Sequence, residues 1–517
     1  MTVAAPTTVP DLPFRAIADL VREHARAAPD HPALREGERE LSYGALDALM
    51  DRVAAALQSD GAHAGRDQVA ICAGASIEYA AVFLGALRAG VAVAPLAPGS
   101  TPAQLAAMID DADARHVFLD ATTAHAIGEG GPARRRIALD GSADAGQPFG
   151  DWLAPPGARP VPVAPAPESA FNIIYSSGTT GTPKGIVQSH AMRWAHVQRA
   201  DRFGYRRETV TLLATPLYSN TTLVVFFPTL AAGGCVVLMA RFDAAGYLQL
   251  AERHRVTHTM LVPVQYQRLM ALPGFDGHDL SSFEFKFCTS APFGAALKAE
   301  VLRRWPGGLV EFYGMTEGGG TCILAAHLHP DKLHTVGPPA EGHDIRLIDE
   351  AGREVAQGET GEVVGRSGAM MTGYRRQPAL TSAAEWRDER GQRFIRTGDI
   401  GRFDAEGFLT LLDRKKDMII SGGFNVYPSD LEAVLRGHAA VADVAVFGVA
   451  SEQWGETPVA CVVTAPGVAV DAGDLLAWAN ARVGKTQRLS ALRFVDALPR
   501  SAIGKVLKRE LRGAWKD

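Results

Sequence analysis

A glycine- and hydroxyl-rich segment that ends in a lysine is the first part of the chain whose residue types could do chemistry. It reads YSSGTTGTPKG, from Tyr175 to Gly185, and follows the apolar run FNII. The apolar run predicts a buried strand, and the backbone N–H groups of a Gly/Ser/Thr turn after a strand can converge on an anion. The P-loop of nucleotide hydrolases needs a glycine before its lysine and a hydroxyl residue after it. Because Pro183 and Gly185 flank Lys184, the segment is either an ordinary surface turn or a phosphate site of another kind.

The composition is that of a globular protein with more than one domain. The 517 residues exceed what one hydrophobic core covers, and 47% hydrophobic with 21% charged residues is usual for such proteins. The net charge of −5 gives no overall basic field for nucleic acid or an anionic membrane. The five cysteines are far apart and lack a C-x-x-C pair, so neither a disulfide framework nor a zinc site is predicted.

No targeting or membrane segment is predicted. The first twenty residues contain neither the basic region nor the apolar core of an export signal. The most apolar window, LVVFFPTLAAGGCVVLMA, is interrupted by Pro228, Gly233 and Gly234, so it predicts a buried helix and strand instead of a membrane span. We therefore expect a soluble, cytoplasmic protein.

The chain changes character twice along its length. Up to about residue 120, apolar helical stretches alternate with short Val/Ala-rich runs, which predicts an α/β layer with a largely parallel sheet. After about Val336, short strands with Gly-rich turns predict a small β-subdomain. After the charged residues Arg414 to Lys416, helix and strand patterns predict a compact α+β unit of about a hundred residues.

Four further segments complete an ordered set with the opening one. They are EFYGMTEGGG from Glu311, RTGDIGRFDAEGFLTLLDRKKD from Arg396, SGGFNVYPSDLE from Ser421 and PRSAIGKV from Pro499. In this order and at these spacings, the five segments resemble the adenylate-forming superfamily of acyl-CoA synthetases, carrier-protein adenylation domains and firefly luciferase. The resemblance covers essentially the whole chain. It implies an α/β fold with a large N-terminal domain of layered subdomains and a small β-barrel (residues 1–415), and a smaller, mobile α+β domain (residues 416–517).

The resemblance implies an AMP-forming acid–CoA ligase that uses ATP, Mg²⁺ and coenzyme A. A carboxylic acid and ATP would give an acyl-adenylate and pyrophosphate, and the CoA thiol would then take the acyl group and release AMP. The expected partners are these small molecules, with no nucleic acid and no membrane span. A second copy of the chain, forming a homodimer, and a lysine acetyltransferase acting on Lys505 are further candidate partners.

The resemblance also assigns the nucleotide site. Tyr313 would stack on adenine, Thr316 would donate to the α-phosphate, and Glu317 would hold Mg²⁺. Asp399 would accept both ribose hydroxyls, and Arg414 would be a second nucleotide contact. Further contacts to ATP are expected from Ser176, Ser177, Gly178, Thr179, Thr180, Gly181, Thr182, Lys184, Ser290, Ala291, Pro292, Gly314 and Met315. Taken alone, the Thr-Glu pair equally fits a helix N-terminus, and TGD an exposed turn.

Three assignments concern the second half-reaction and catalysis. Ser421, Gly422 and Gly423 match the segment that lines the pantetheine tunnel, where a missing Cβ lets a thin chain pass close to the backbone. Lys416 matches the residue at which relatives swing between half-reactions. Lys505 matches the lysine that bridges the substrate carboxylate and the α-phosphate. Without the resemblance, SGG would be a flexible turn and Lys505 a solvated lysine.

The acyl pocket departs from two family patterns. Many relatives have a histidine where this chain has Ser219, and acetate-activating relatives close the pocket with a tryptophan where it has Gly314. We therefore expect an open pocket for a bulky hydrophobic acid, either aromatic, cyclic or of medium to long chain. The expected lining residues are Tyr218, Ser219, Asn220, Val262, Phe287, Gly314, Gly318 and Gly319.

Two other functions stay open. The chain could load the phosphopantetheine arm of a separate carrier protein, or it could be a nucleotide-binding regulator that has lost catalysis. The joint presence of Glu317, Asp399 and Lys505 argues against the regulator. The His254 and His258 pair has the helical spacing of metal ligands but lacks the accompanying glutamate, so we expect solvated or capping histidines.

Overall fold

The computed structural model describes residues 13–127, 134–176, 184–421, 424–484, 487–501 and 504–515. Within these ranges the α-helices are α1 (Ile17–Ala27), α2 (Tyr43–Ser59), α3 (Ile77–Arg88), α4 (Pro102–Ala112), α5 (Ala121–Ala124), α6 (Phe149–Trp152), α7 (His190–Ala200), α8 (Asn220–Ala231), α9 (Ala244–Arg253), α10 (Pro263–Met270), α11 (Ala295–Arg304), α12 (Pro378–Ala383), α13 (Pro428–Arg436), α14 (Ala472–Asn480) and α15 (Lys508–Ala514).

The strands of the same ranges form four sheets. They are β1 (Pro32–Glu36), β2 (Arg39–Ser42), β3 (Gln68–Cys72), β4 (Ala92–Pro95), β5 (His116–Leu119), β6 (Arg135–Ala138), β7 (Gln147–Pro148), β8 (Ala170–Ser176), β9 (Lys184–Ser189), β10 (Val210–Leu213), β11 (Cys235–Leu238), β12 (His258–Leu261), β13 (Phe285–Cys288), β14 (Gly308–Tyr313), β15 (Cys322–Ala325), β16 (Asp344–Ile348), β17 (Thr360–Arg366), β18 (Gly373–Tyr374), β19 (Glu385–Arg387), β20 (Arg393–Phe403), β21 (Leu409–Arg414), β22 (Ile419–Ser421), β23 (Phe424–Val426), β24 (Val441–Ser451), β25 (Gly455–Thr464) and β26 (Ala491–Phe494).

Two eight-stranded sheets carry the larger part of the fold. One has the order β15-β14-β13-β12-β10-β11-β1-β2 and the other β18-β9-β8-β4-β3-β5-β6-β7. Both are parallel inside, with antiparallel partners β2 and β15 at the edges of the first and β9 and β18 at one end of the second. Strands such as β4, β5 and β12 are buried at every residue, as expected when both faces of a parallel sheet are covered.

A shared aromatic core connects the two large sheets. Phe83 of α3, Phe171 of β8 and Phe227 of α8 contact one another with ring centroids 4.9 to 6.1 Å apart. Every residue of α3 except Glu78 is buried, so this helix lies inside the core and does not cover it from outside. Offset and edge-to-face ring contacts of this kind add stability beyond the buried area alone.

Two smaller sheets follow along the chain. The first has the order β16-β17-β20-β19 with β21 beside β20, where the sequence predicted a small β-barrel. The second has the order β23-β22-β25-β24 with β26 beside β25, and α13, α14 and α15 belong to the same region. The two long strands β24 and β25 pair antiparallel from Val441↔Thr464 to Ser451↔Gly455. The α/β class with a larger and a smaller part is therefore confirmed.

Contacts between Cα atoms divide the chain into two compact units. The first comprises residues 1–333, 340–344 and 366–395, and the second comprises 334–339, 345–365 and 396–517. The boundary between residues 415 and 416, at which the sequence analysis began a mobile C-terminal domain, stays a prediction. The apolar window is a helix and a strand, α8 and β11, as predicted. No helix of the described residues is long and apolar enough to cross a membrane.

A buried ion pair fixes the strand that leads into the EFYGMTE segment. Glu311 of β14 pairs with Lys298 of α11, and both side chains are almost fully buried. The Lys298 Nζ also donates to the Leu333 carbonyl at 2.8 Å. Burial raises the pKa of Glu311 to about 7, and the Lys298 charge opposes that rise. Removing one partner of such a pair leaves an uncompensated buried charge, which costs about 3–5 kcal/mol.

We predict that Lys298→Met destabilises the first unit more at pH 8 than at pH 6. Without the ammonium, the folded-state pKa of Glu311 rises further above its unfolded value, so stability is present at low pH and is lost as pH rises through the folded pKa. The thermal midpoint of the variant is measured at both pH values. The double variant Lys298→Met with Glu311→Gln is the control, and it should lose the pH dependence. Equal destabilisation at both pH values would contradict this account.

Candidate active site

The strands on either side of the opening segment hold its two ends together. Ser176, the last residue of β8, lies directly opposite Lys184, the first residue of β9, in an antiparallel pair. The Tyr175 hydroxyl donates to the Asp111 carboxylate of α4 at 2.7 Å, which ties β8 to the adjacent helix. The predicted phosphate-contacting residues between the strands, Ser177, Gly178, Thr179, Thr180, Gly181 and Thr182, lie outside the described residues.

A tyrosine that the sequence analysis did not identify brings Lys184 and Glu317 to one place. The Tyr374 hydroxyl donates to the Glu317 carboxylate at 2.8 Å, and the Lys184 Nζ lies 5.5 Å from the centroid of the Tyr374 ring. Strand β18 places Tyr374 there because it pairs antiparallel with β9, with Tyr374 opposite Ile186. Burial, and then the charge of Glu317, raise the pKa of Tyr374, so its hydroxyl stays a donor at neutral pH.

Glu317 has the chemistry expected of a magnesium ligand that acts with phosphate. Mg²⁺ keeps several waters and needs only one or two protein carboxylates when phosphate oxygens supply further ligands. The described residues contain no cluster of three or more His, Cys, Asp or Glu that could hold a metal by itself. The Glu317 carboxylate, oriented by the Tyr374 hydroxyl, fits a metal whose other ligands are phosphate oxygens and water.

The residues from Tyr313 to Glu317 form the end of β14 and a turn. Thr316 and Glu317 lie in this turn and not at a helix N-terminus, so the simpler alternative for the Thr-Glu pair is wrong. Tyr313 is buried, and Gly314 is exposed. Met315 packs against a small cluster that includes Ile186 and the Tyr374 ring. The turn is thus fixed by side chains of β9 and β18.

Gln188 of β9 connects this turn to the beginning of α8. Its Nε2 donates to the Thr316 carbonyl at 2.7 Å and to the Asn220 Oδ1 at 3.3 Å. Its Oε1 accepts from the Asn172 Nδ2 at 2.9 Å and from the Arg193 guanidinium. Because Gln188 is fully buried, loss of any partner would leave a polar atom without water to replace it.

Arg193 of α7 is buried in the same network. Its Nε donates to the Asn172 Oδ1 at 2.9 Å, and its guanidinium lies 5.8 and 5.9 Å from the ring centroids of Phe227 and Phe171. Burial lowers the pKa of Arg193 to about 9. Amide oxygens and ring faces therefore stabilise this cation.

The predicted acyl-pocket residues at the start of α8 are brought close to Ser290. The Ser219 side chain caps α8 by accepting from the Thr221 N–H at 3.3 Å, which is the local role of this serine. The Thr221 and Ser290 hydroxyls are 2.5 Å apart. Ser290 has φ +81°, a conformation that costs free energy in a residue with a Cβ and that is common at functional sites. Ala291 and Pro292 follow it before α11, and Tyr218 precedes the Ser219 cap.

A small cavity of about 10 Å³, which has room for about one water molecule, lies beside α7, α8, β13 and β14. It is lined by His196, Arg199, Ala200, Phe203, Tyr205, Val224, Val225, Phe287 and Phe312. Phe287 is the residue among them that the sequence predicted. Val262 is buried at the start of α10, where its N–H donates to the Gln265 side chain at 3.0 Å.

Two of the glycines predicted to line the pocket have different surroundings. A Cβ at Gly318, which has φ +77°, would lie 1.9 Å from the Ala369 carbonyl oxygen, so the position accepts only glycine. Neighbouring Gly319 donates its N–H to the same carbonyl at 3.2 Å. A Cβ at Gly314 would have Thr321 Oγ1 as its nearest neighbour, at an ordinary 3.4 Å. Space for a side chain is therefore present at Gly314 and absent at Gly318.

The second unit brings Asp399 and Arg414 together. They lie opposite each other in β20 and β21, and the Arg414 Nε is 3.0 Å from an Asp399 carboxylate oxygen. TGD is thus part of a strand and not an exposed turn. Asp399 is largely buried, whereas Arg414 is 46% exposed, so the carboxylate is held in place while the guanidinium retains access to solvent.

The remaining predicted residues of the second unit lie on turns and strand ends. Lys416 is exposed in the turn between β21 and β22, and Lys415 beside it pairs with Glu362, which also pairs with Arg396. Ser421 ends β22, and Gly422 and Gly423 lie outside the described residues. Lys505 is exposed, and its backbone N–H donates to the Ser501 Oγ at 3.2 Å.

The sequence analysis missed the residues that position this site and misassigned one histidine. Asn172, Gln188, Arg193 and Tyr374 carry no family signature, although a polar residue inside an apolar strand, such as Asn172 in FNII, is a signal that could have been used.

His258 lies in β12 and not on α9, so it lacks helical spacing to His254 at the helix end. It is buried, and its Nε2 donates to the Phe203 carbonyl at 2.7 Å, so the expected solvated or capping role is wrong for His258.

Two protein-family models match most of the chain. A family described as "AMP-binding enzyme" matches residues 21–375, and one described as "AMP-binding enzyme C-terminal domain" matches residues 430–505. The chain is 34% identical to an indoleacetate–CoA ligase of Aromatoleum aromaticum, over 96% of this chain and 97% of that protein. It is 33% identical to a feruloyl-CoA synthase of an Amycolatopsis species, over 94% and 96%. The amide bond synthetase McbA from Marinactinospora thermotolerans has a similar structure, with a TM-score of 0.86 and 27% identity over 96% of this chain and 99% of that one.

We predict that alanine lowers the stability of the protein much more at Gly318 than at Gly314. Gly318→Ala should lower stability by more than about 2 kcal/mol, because the methyl group cannot fit against the Ala369 backbone. Gly314→Ala, the matched control, should change stability by less than about 1 kcal/mol. Scanning calorimetry measures both variants. Similar thermal midpoints for the two would show that the contact at Gly318 relaxes without cost.

Proposed function

Because the chain belongs to the AMP-binding enzyme family, we propose that it is an AMP-forming acid–CoA ligase for a bulky hydrophobic carboxylic acid. In the first step a carboxylate oxygen forms a bond to the α-phosphorus of ATP, and the bond from that phosphorus to the bridging oxygen breaks, so pyrophosphate leaves. In the second step the CoA sulfur bonds to the acyl carbon, the acyl C–O bond to AMP breaks, and the thiol proton is lost to solvent.

The observation that carries the proposal is the convergence of Lys184, Tyr374, Glu317 and the Thr316 turn in the first unit. Phosphoryl chemistry depends mainly on positioning and charge neutralisation. Lys184 supplies a cation for the β- and γ-phosphates, and Glu317, oriented by Tyr374, would hold Mg²⁺, which neutralises phosphate charge when bound. Thr316 donates to the α-phosphate, with its backbone carbonyl held by Gln188.

We assign Asp399 to the ribose hydroxyls and Lys505 to the substrate carboxylate and the α-phosphate, as the family resemblance implies. The ion pair to Arg414 supports the first assignment, because it orients a carboxylate that has two acceptor oxygens for two neighbouring hydroxyls. The hinge at Lys416, the pantetheine contacts at Ser421 to Gly423, and the domain boundary at 415/416 belong to the same proposal. The homodimer and the acetylation of Lys505 stay predictions.

A bulky acid is favoured by the open position at Gly314. The relatives named for indoleacetate and ferulate act, by their names, on acids that contain a ring. These two features support a ring-bearing acid more than a straight chain.

The test is acid-dependent ATP–pyrophosphate exchange with a panel of aromatic, cyclic and fatty acids, followed by acceptor assays. Exchange with ring-bearing acids and thioester formation with free CoA are expected. Thioester formation only with a phosphopantetheinylated carrier protein would support the carrier-loading alternative, and amide formation with an added amine would indicate another acceptor. Absence of exchange with every acid would overturn the proposal and favour the nucleotide-binding regulator.

We predict that Lys505→Ala slows the first half-reaction and spares the second. A preorganised donor at a site of developing charge contributes roughly 10² to 10³ in rate, so exchange should fall by about that factor. Thioester formation from preformed acyl-adenylate and CoA should stay near normal. Arg509→Ala, at an exposed cation on α15, is the matched control and should affect neither step. Stopped-flow measurement of each half-reaction decides, and an equal deficit in both would refute the division.

A further inference from the structure

A network of amide side chains, held by one guanidinium, ends at the proposed reaction centre. Its members are Asn172 of β8, Gln188 of β9, Arg193 of α7 and Asn220 of α8. Asn172, Gln188 and Arg193 are buried, and Asn220 is half-buried. Buried polar atoms need partners, and an amide has an acceptor at one end and donors at the other. The hydrogen bonds of the network therefore determine the direction in which each amide points.

The guanidinium fixes the direction of the first two amides. An arginine side chain only donates hydrogen bonds, so the atoms that accept from Arg193 must be oxygens. Its Nε donates to the Asn172 Oδ1 at 2.9 Å, and its Nη2 donates to the Gln188 Oε1. The Asn172 Nδ2 donates to the same Oε1 at 2.9 Å. The Gln188 Nε2 is therefore the end of this amide that faces away from Arg193.

The direction of Gln188 in turn fixes the direction of Asn220. The Gln188 Nε2 donates to the Thr316 carbonyl at 2.7 Å and to the Asn220 Oδ1 at 3.3 Å. If the Asn220 amide were reversed, two N–H donors would face each other, so its oxygen is held toward Gln188. The Asn220 Nδ2, with its two N–H groups, is at the opposite end of the amide, and it donates to no other group among the described residues.

The Asn220 amide lies beside the turn that carries Thr316. The Asn220 Oδ1 and the Thr316 carbonyl contact the same nitrogen atom of Gln188. Asn220 is also the first residue of α8, where the helix dipole favours a negative group, and the hydroxyl of the next residue, Thr221, is 2.5 Å from that of Ser290. In the proposed function Thr316 donates to the α-phosphate, so the carboxylate that attacks this phosphate would lie near the Asn220 amide.

We propose that the Asn220 Nδ2 donates to the reacting carboxylate of the substrate acid, and that Gln188 is the positioning residue that presents this donor. The inference rests on the proposed function, because it places the reacting carboxylate beside the Thr316 turn. A donor at this place holds the carboxylate in the orientation from which one oxygen attacks phosphorus. With the amide reversed, the Asn220 Oδ1 would face the carboxylate and repel it. Arg193 is a second positioning residue, because it fixes the direction of Gln188.

The experiment first replaces the donor by Asn220→Leu, which keeps the approximate shape of the side chain. The probe acid is the one with the highest kcat/KM in the exchange panel, or indoleacetate if no acid turns over. Titration calorimetry with α,β-methylene-ATP, which blocks turnover, should show a dissociation constant for the acid raised by roughly 10- to 10²-fold, because a hydrogen bond to a charged group is lost. In ATP–pyrophosphate exchange, KM for the acid should rise similarly, while KM for ATP changes by less than about twofold.

Two substitutions of Gln188 then separate positioning from packing. Gln188→Glu keeps an oxygen for Arg193 but places a second oxygen against Asn220, so the Asn220 amide reverses and acid binding should weaken at least as much as in Asn220→Leu. Gln188→Met removes the donor without reversing the amide and should weaken acid binding less. In the Asn220→Leu background, each Gln188 substitution should change acid binding by less than about twofold, because residues that act through one another are not additive.

Thr229→Val is the matched control on the same helix. The Thr229 hydroxyl is buried and bonds with the Thr211 hydroxyl and the Val225 carbonyl, each at 2.7 Å. Loss of this hydroxyl should lower the thermal midpoint and leave acid binding unchanged, since valine keeps the shape of threonine.

The outcomes distinguish the inference from the proposed function. Asn220-dependent acid binding without exchange for any acid would refute the proposed function alone. Exchange with an acid KM and an acid dissociation constant that are unchanged in Asn220→Leu would overturn the inference alone. Additive losses for Gln188→Glu in the Asn220→Leu background would overturn the positioning role of Gln188. Absence of both exchange and indoleacetate binding in the wild-type protein would overturn the inference together with the proposed function.

Discussion

The hydrogen bonds of one buried side chain, Gln188, determine how the parts of the first unit meet at the site. Its carboxamide contacts β8 through Asn172, α7 through Arg193, the start of α8 through Asn220 and the turn after β14 through Thr316. A backbone turn at the end of a strand has no ladder partners of its own, so it takes its position from contacts such as these. The low dielectric around Gln188 makes each bond strong and each missing bond expensive.

Helix α7 presents two buried guanidinium groups with different surroundings. Arg193 lies among amide oxygens and ring faces, and these contacts offset the free-energy cost of burying its charge. Arg199, almost two turns further, lies 5.1 Å from the centroid of the Phe312 ring. The helix thus carries one guanidinium that amide oxygens accept from and one that contacts an aromatic ring. Since both lie on one rigid element, the packing that fixes the first also fixes the position of the second.

The sequence predicted strands, helices and family motifs well where the pattern was local. The FNII run became β8, and the interrupted apolar window became α8 and β11, because burial and chain breakers act within a few residues. The motif residues Lys184, Thr316 and Glu317 were predicted from the family pattern, and the structure places Lys184 and Glu317 around one tyrosine.

The partners of those motif residues could not be predicted in the same way. Tyr374 is 57 residues from Glu317, and Gln188 is 128 residues from Thr316, so neither pairing leaves a periodic signal. His258 shows a related failure, because spacing alone cannot reveal that α9 ends at Arg253 and that His258 begins a strand. Such contacts depend on sheet order, which one sequence does not specify.

The close approach of Gly318 to the Ala369 backbone limits which positions near the site can change during evolution. A position that tolerates only glycine cannot be substituted when the substrate changes, however strong the selection for a new substrate. Gly314, by contrast, has room for a side chain, because the nearest neighbour of a Cβ there would be at an ordinary 3.4 Å. Substitutions that accompany a change of substrate acid are therefore expected at Gly314, while glycine is retained at position 318 in descendants with unrelated substrates.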